Sequence, residues 1–591
     1  MIVFRMLFYR YIAYIFGILL VVHPFLYMHD SRTGNEDIVF LTAFVILGIL
    51  LSMTLVRLFN RKHASGERAS KIFAKTYDIA TITTVDFAVA VYLFYGVLNI
   101  LLVRDTGVDI LWGMKWVAFL GGYVVVRTMP DKRPIAYALI VSGIIQSIIA
   151  IGQQNWWIDS NHIHFQITGS FGNPGQLGGY LAICFVAALG LNITKTVRKN
   201  KIGVVIGTFA IAIIAYGLVL ADSRAGWLAA LVGAGIYFMP NTKLWSAKCK
   251  SVFFVTMTTI MAYLCVLLFL YRPDSVRARM LTWRVSTDMI SDVPILGHGI
   301  GTFNDHYMLY QAEYFNAHPD SEYLSVADNI QCPYNELLHI GTEQGVIGML
   351  LVLIIFGTAL YGCKSSRNLF KAALLSLIVF AMFSYPANVF PLMFLFAALL
   401  GAAAGKPLGR FRVDNAAWVS GTTLCIFMLI ITGYGYVQYS KISNRIYSLY
   451  TSDTYNTANI EAIRADYPAF RNNRILRDTY LSWLAEHTSD DSDLPYIADI
   501  TPVCESYVMT GDAFLRLNRH IEAERYYKIA ASMIPTRMTP NYRLWKLYCE
   551  IGDTVQSINS ADKVLTQHLK AENTLNIQLR AEVKAWLERM E

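Results

Sequence analysis

Long apolar runs fill most of the first 437 residues and are broken at intervals by short polar segments. A helix needs roughly 20 mostly apolar residues to cross the hydrocarbon core of a bilayer. On that length the pattern predicts spans at Ile12–Met28, Ile38–Val56, Ile79–Val103, Ile110–Val126, Pro134–Ile151, Gly175–Leu191 and Gly203–Leu220. It continues with Gly226–Met239, Val252–Tyr271, Gly345–Gly362, Ala372–Ser384, Val389–Ala404 and Trp418–Val437. From about Gln438 the long apolar runs stop and charge rises. The expected fold class is therefore all-α: a polytopic membrane protein of about 13 transmembrane helices, with a soluble helical tail. The expected domains are 1–437, which includes a long loop at 272–343, and 438–591.

The polar segments set an expected orientation. Every second loop is basic: Arg57, Arg61, Lys62, Arg68, Lys71 and Lys75; Arg127, Lys132 and Arg133; Lys195, Arg198, Lys199 and Lys201; Lys243, Lys248 and Lys250; Lys364, Arg367 and Lys371; Lys406, Arg410 and Arg412. The loops between them hold little basic charge beyond Arg32 and Arg104. The positive-inside rule then places the N-terminus in the cytoplasm and, after an odd number of spans, the long loop and the tail outside. In a bacterium this is the inner membrane with a periplasmic tail. The basic, apolar N-terminus resembles a signal peptide, but no small-residue cleavage site follows it, so it is expected to stay as the first span.

Composition agrees with this picture. The chain is 55% hydrophobic and 16% charged, whereas soluble domains carry about a quarter charged residues. The net charge of +8 sits in loops and is read as topology, so no nucleic-acid partner is expected. The eight cysteines form no C-x-x-C pair, and neither a zinc site nor a disulfide framework is expected. Cys504 and Cys549 are the one pair that could bridge within the tail.

A transporter would place polar residues at mid-span. Only Asp86 and Lys115 stand out there, either paired or near an interface. The chemistry-bearing residues gather instead at the predicted outer ends of spans. One cluster is Ser170-Phe-Gly-Asn-Pro-Gly-Gln-Leu-Gly-Gly-Tyr180, where Asn173 or Pro174 can begin a helix and Gln176 follows. Its glycines suit either tight packing of spans or an anion at a helix N-terminus. The second is Ala221-Asp-Ser-Arg-Ala-Gly-Trp227, with Arg224 suited to phosphate, to Asp222 or to lipid headgroups. The third carries Arg277, Arg279, Trp283 and Arg284 on an amphipathic helix, then Pro294-Ile-Leu-Gly-His298-Gly. The fourth is Cys332-Pro-Tyr-Asn-Glu-Leu-Leu-His-Ile-Gly-Thr-Glu-Gln-Gly345. His162 and His164, beside Trp156 and Trp157, are read as interfacial anchors before a metal pair.

In this order the four clusters resemble the O-antigen ligase and polymerase superfamily, which includes bacterial protein O-oligosaccharyltransferases. The resemblance runs from about Ser170 to the end of the tenth span. It implies a GT-C-like glycosyltransferase that is inverting and metal-independent and needs no cofactor. Such an enzyme moves a glycan from a polyprenyl-pyrophosphate donor in the bilayer to an acceptor hydroxyl. It further implies that Arg224 and Arg279 neutralise the leaving pyrophosphate, with Tyr334, Asn335, Glu336 and His339 around the reacting groups. Asn173, Gln176, Arg277, Arg284 and His298 would line the substrates. Family members often carry histidine where this chain has Tyr334 or Cys332. His339, one turn past Asn335, is then a candidate base, as are Glu336, His298, His306 and His318.

Within the tail, Gly511, Phe514, Ala523, Tyr527, Ala530 and Pro535 match the tetratricopeptide spacing, and Tyr548, Gly552 and Ser557 recur at equivalent offsets. A helical-repeat tail favours a protein as acceptor or partner. A lipopolysaccharide ligase acting on a glycolipid core and a glycan polymerase are the alternatives. Of other classes, a glycolipid flippase and a non-catalytic scaffold remain.

Overall fold

The computed structural model describes residues 2–26, 36–63, 79–103, 110–192, 200–238, 273–362, 369–403, 405–413, 415–449, 457–470, 474–487, 502–570 and 573–590, with isolated positions between 246 and 259. Almost all of the predicted span Val252–Tyr271 lies outside the described residues, as do the loop residues Arg68, Lys71, Lys75, Lys195, Arg198, Lys199, Lys243, Lys250, Lys364 and Arg367.

The described chain is almost wholly helical. In order it runs α1 (Ile2–Leu26), α2 (Glu36–His63), β1 (Ile79–Thr83), α3 (Thr84–Val103), α4 (Ile110–Thr128), α5 (Arg133–Gln154), α6 (Pro174–Asn192), α7 (Lys201–Leu220) and α8 (Arg224–Phe238). Then follow α9 (Pro273–Asp292), α10 (Phe303–Ala317), a 3-10 turn (Leu324–Val326), α11 (Glu336–Gly362), α12 (Leu369–Ala381), α13 (Phe390–Ala403), β2 (Pro407–Arg412) and α14 (Asn415–Ser448). The tail comprises α15 (Thr457–Phe470), α16 (Arg474–His487), α17 (Cys504–Arg516), α18 (His520–Met533), α19 (Met538–Ile551), α20 (Thr554–Thr566) and α21 (Thr574–Met590). Among the described residues nine helices are long and apolar enough to cross a membrane: α1 to α7, α11 and α14. The shorter α8, α12 and α13 occupy three more predicted spans.

One predicted boundary is corrected. Ile79–Thr83, taken as the start of the third span, is a strand paired antiparallel with Pro407–Arg412, so the helix begins at Thr84. The β-branched run Ile-Ala-Thr-Ile-Thr favours the extended backbone. Asp86, in the first turn of α3, closes this junction. It accepts from the Thr83 backbone at 2.8 Å, pairs with Arg127 at 3.2 Å and bonds Tyr123. Its partners lie at the end of the span, and Lys115 is not among them.

The chain forms two compact units. One contains residues 1–97, 107–256 and 350–443; the other contains 98–106, 257–349 and 444–591. In the first, α6 packs against α5, α7, α8 and α12, while α4 packs against α2 and α13. Small residues set the α6–α8 approach: a Cβ on Gly178 would come within 2.2 Å of Ser223, and one on Gly226 within 2.7 Å of the Gly178 backbone. Two helices touching at that range tolerate only glycine.

In the second unit α17 to α21 pack in sequence, each against the next. Gly511 of α17 lies flat against the Tyr527 ring of α18, where a Cβ would meet ring carbons at 2.4 Å. Ala523, Tyr527 and Ala530 are fully buried on the same face of α18. Cys504 and Cys549 are free thiols, so the bridge conceived between them is absent. The outer face of α18 meets α10 of the long loop. Gln311 donates to the Met533 carbonyl at 2.7 Å, and Ser532 bonds Asn316 at 2.7 Å. Asp328 joins Lys570 at 2.6 Å and Arg537 at 3.7 Å, while Arg537 also pairs with Glu505.

Candidate functional site

The second unit brings together most of the sequence-selected residues. Along α9, Arg279 and Trp283 are one turn apart and therefore share a face. Trp283 donates its indole N–H to the Pro333 carbonyl at 2.9 Å. The Arg279 guanidinium lies 5.7 Å from the centre of the Tyr334 ring, within cation–π range. Arg277 and Arg284 take acidic partners on their own helix, Asp274 at 3.7 Å and Asp288 at 3.6 Å. Exposed pairs of this kind contribute only about 0.3–0.5 kcal/mol, so they fix helix faces more than stability.

The turn before α11 is tightly determined. Tyr334 holds a left-handed backbone at φ 52°, uncommon outside glycine. Asn335 caps the helix, its side-chain oxygen accepting from the Leu337 and Leu338 amides at 3.0 and 3.2 Å. That oxygen is therefore engaged in starting the helix. Burial pushes the Tyr334 phenol and the Cys332 thiol both up to about 12. At neutral pH each keeps its proton, so neither serves as a base, though Tyr334 can donate a hydrogen bond.

Past the cap, three ionisable side chains follow at helical spacing. His339 lies between two carboxylates: Nδ1 is 3.6 Å from Glu336 and Nε2 is 3.3 Å from Glu343. All three are largely buried. With both ring nitrogens facing carboxylates, neither is directed at an incoming hydroxyl. Glu343 also accepts from the Phe303 backbone. Its role as a partner for His339 was missed in the sequence, although the Glu-x-x-His-x-x-x-Glu spacing carries the signal.

The third and fourth clusters interlock through their backbones. His298 N–H donates to the Thr342 carbonyl and Gly299 N–H to the Glu343 carbonyl, both at 2.9 Å, and Val346 N–H donates to the Pro294 carbonyl at 2.8 Å. At the centre of the clamp α11 breaks at Gly345, with φ 65° and ψ −169°, a region open essentially to glycine alone. A Cβ there would stand 2.2 Å from the Ile295 carbonyl oxygen. Asn99 adds a third strap, donating to the Leu296 carbonyl at 2.7 Å and accepting from Ile300 N–H at 3.2 Å. This explains the Pro-x-x-Gly-x-Gly and Glu-x-Gly signatures: each supplies the backbone that the other grips. His298 points elsewhere, with Nε2 3.0 Å from the Met289 carbonyl and its ring beside His306. Burial lowers its pKa, so it is neutral near pH 7.

The first unit holds the other set. α6 starts at Pro174 behind the Asn173 cap, whose oxygen accepts from Gly175 N–H at 2.7 Å. Gln176 has a buried side-chain oxygen with no hydrogen-bond partner among the described residues. Ser223 accepts from Gly226 N–H at 3.2 Å, leaving half-buried Arg224 as the first residue of α8. Two glutamines the sequence reading passed over pin the approaching loop. Gln146 exchanges hydrogen bonds with Ser170 at 2.7 and 3.0 Å, and Gln153 accepts from Thr168 and Gly169 N–H at 2.9 and 2.8 Å. His162 and His164 lie at the surface with rings 5.7 Å apart. The described residues contain no cluster of three or more metal-ligating side chains.

Fold and site together define a polytopic α-helical membrane protein in which polar signature segments are gathered at helix starts. Residues 209–353 match the family model described as O-antigen ligase, so the chain carries a domain of the O-antigen ligase superfamily. The match spans the second, third and fourth clusters; Ser170–Tyr180 lies before it. That match supports glycan transfer by an enzyme of ligase type, and the family implies a lipid-linked donor in a bilayer. Comparison with curated proteins finds no match.

Proposed function

We propose that this protein transfers a glycan from a polyprenyl-pyrophosphate carrier to a hydroxyl group of a protein, at the periplasmic face of the inner membrane. The observation that carries the reading is the meeting of Arg279 with the Tyr334 turn, inside the matched stretch. In the step proposed, the acceptor oxygen attacks the anomeric carbon, the bond from that carbon to the phosphate oxygen breaks, and the pyrophosphate leaves on its lipid. Arg279 stabilises the negative charge that develops there. Glu336, the first residue of α11, takes the acceptor proton, and His339 holds its carboxylate in place. This reassigns His339 from base to positioning residue, because both its nitrogens already face carboxylates.

A protein acceptor is favoured by the tail, in which α17 to α20 pack each against the next and α18 is bonded to the loop that follows α9. The orientation rests on the alternating basic loops. The test uses full-length protein in nanodiscs with lipid-linked glycan extracted from the source cells. Wild-type protein should glycosylate a protein acceptor, and Arg279→Ala should lower the rate by about a hundredfold or more. Transfer to lipid A core alone, or full activity in Arg279→Ala, would overturn the reading.

A further inference from the structure

Beside the Arg279–Tyr334 pair, and distinct from it, the second unit has an open cleft of about 470 Å³ lined by Met280, Trp283, Arg284, Thr287, Tyr314, His318 and Tyr323. Small-molecule sites fall at about 300–1,000 Å³, so the cleft is of ligand size. Its floor is one face of α9: positions 280, 283, 284 and 287 recur at helical spacing. Its wall is the C-terminal turn of α10 and the segment leading to the 3-10 turn.

The lining is unusual for a polar loop. Three of the seven residues are Trp or Tyr, and His318 stacks on Tyr314 at 4.6 Å with nearly parallel planes. Three of the four rings, those of Trp283, Tyr314 and His318, are held by hydrogen bonds. Trp283 is held by the Pro333 carbonyl, Tyr314 by Ser321 at 3.2 Å, and His318 Nδ1 by the Tyr314 carbonyl at 2.9 Å. Rigid aromatic faces with a few polar groups at the rim suit a ring that is apolar on its faces and polar at its edge. A pyranose is such a ring: its axial C–H groups stack on aromatic carbon while its equatorial hydroxyls reach outward. Among the lining residues Arg284 can donate to those hydroxyls, and Thr287, whose own hydroxyl donates to the Trp283 carbonyl, can accept from them. Arg284 is balanced by Asp288 at 3.6 Å, which makes the cleft a poor site for a bare anion.

We infer that this cleft is a carbohydrate subsite that holds one or more sugar residues of a substrate glycan. The inference deepens the proposed function, because Trp283 links the two places: its ring lines the cleft while its N–H grips the residue before Tyr334. A glycan with its reacting end at Tyr334 can therefore lay a neighbouring sugar across the Trp283 and Tyr314 rings. The sugar comes either from the donor chain or from a glycan acceptor.

The experiment measures binding to the full chain in nanodiscs by tryptophan fluorescence and saturation-transfer NMR. One arm uses the oligosaccharide released by mild acid from the source cells' lipid-linked pool; a second uses their lipid A core oligosaccharide. Inorganic pyrophosphate is the third probe. One oligosaccharide should bind, identifying the source, and Tyr314→Ala/Tyr323→Ala should weaken it by about tenfold or more. Tyr314→Phe, which keeps the ring, should bind nearly as wild type, and this separates stacking from damage to the fold. No binding of either oligosaccharide, equal binding by the double variant, or displacement by pyrophosphate overturns the subsite. Transfer by wild-type protein is measured in parallel. If transfer fails while sugar binding and its loss in the variants persist, the proposed function falls and the subsite stands.

Discussion

The indole of Trp283 donates to the carbonyl of Pro333 across 2.9 Å, and this one bond joins α9 to the turn that starts α11. It sets the distance between Arg279, one turn back on α9, and the Tyr334 ring. Trp283→Phe keeps most of the packing but leaves that carbonyl without its donor, a loss of about 1 kcal/mol. We expect transfer to fall by up to about tenfold, with little change in the amount of folded protein. A glycan-transfer assay alongside size-exclusion chromatography checks both.

Gly345 should admit no other residue. Its φ of 65° with ψ −169°, and the Ile295 carbonyl oxygen 2.2 Å from where a Cβ would stand, oppose even alanine. Gly345→Ala is expected to cost at least about 1–3 kcal/mol from backbone strain alone. Hydrogen exchange should show the 294–300 segment losing protection, since its backbone bonds to 342–346 depend on this break.

The Glu336–His339–Glu343 row predicts a double-mutant result. His339→Gln leaves two carboxylates facing each other without a cation, and removing one partner of a buried pair costs about 3–5 kcal/mol. Glu343→Gln removes one of those charges. The combined variant should therefore unfold less readily than the sum of the single losses implies. Thermal unfolding of the four proteins in nanodiscs closes the cycle.

High pH should loosen the second unit. Burial pushes the Cys332 and Cys504 thiols from the ordinary value of 9.0 up to about 12. Between those values the unfolded thiols ionise while the folded ones keep their protons. The folded state therefore binds more protons, and stability falls with rising pH. The contribution is intact below pH 9 and is lost as pH climbs towards 12. Alkylation by iodoacetamide, followed by mass spectrometry, should find both cysteines protected at pH 8 and increasingly labelled above pH 9.

Gln311 tests the tail contact. It is fully buried and donates to the Met533 carbonyl at 2.7 Å. Gln311→Ala leaves that acceptor unsatisfied, at about 1–3 kcal/mol. Limited proteolysis should then cut near 533–537 faster, with α17 cleavage less affected.

The helices were legible because bilayer thickness imposes a length that apolar runs must meet. Asn173 and Asn335 were legible as chemistry-bearing positions, and the structure shows why each stands where it does: both cap a helix. What escaped the pattern depends on partners far along the chain. Ile79–Thr83 reads as apolar and joins the following run, and only its pairing with Pro407–Arg412 makes it a strand. Gln146 and Gln153 read as stray polar residues in a span until the loop at Thr168–Ser170 folds back onto them. The grip of Asn99 on Leu296 and Ile300 has no local signature at all.

The β1–β2 pair also constrains the order in which the protein is made. Ile79 pairs with Arg412, so β1 leaves the ribosome long before its partner exists. Until then its backbone donors and acceptors have no strand to meet and must stay with water, because an unpaired edge is disfavoured in lipid. The start of α3 is thus held back from its final seat through the insertion of every helix up to α13. The strand pair can close only once Pro407–Arg412 has been made, and a chain truncated before Pro407 would never fasten it.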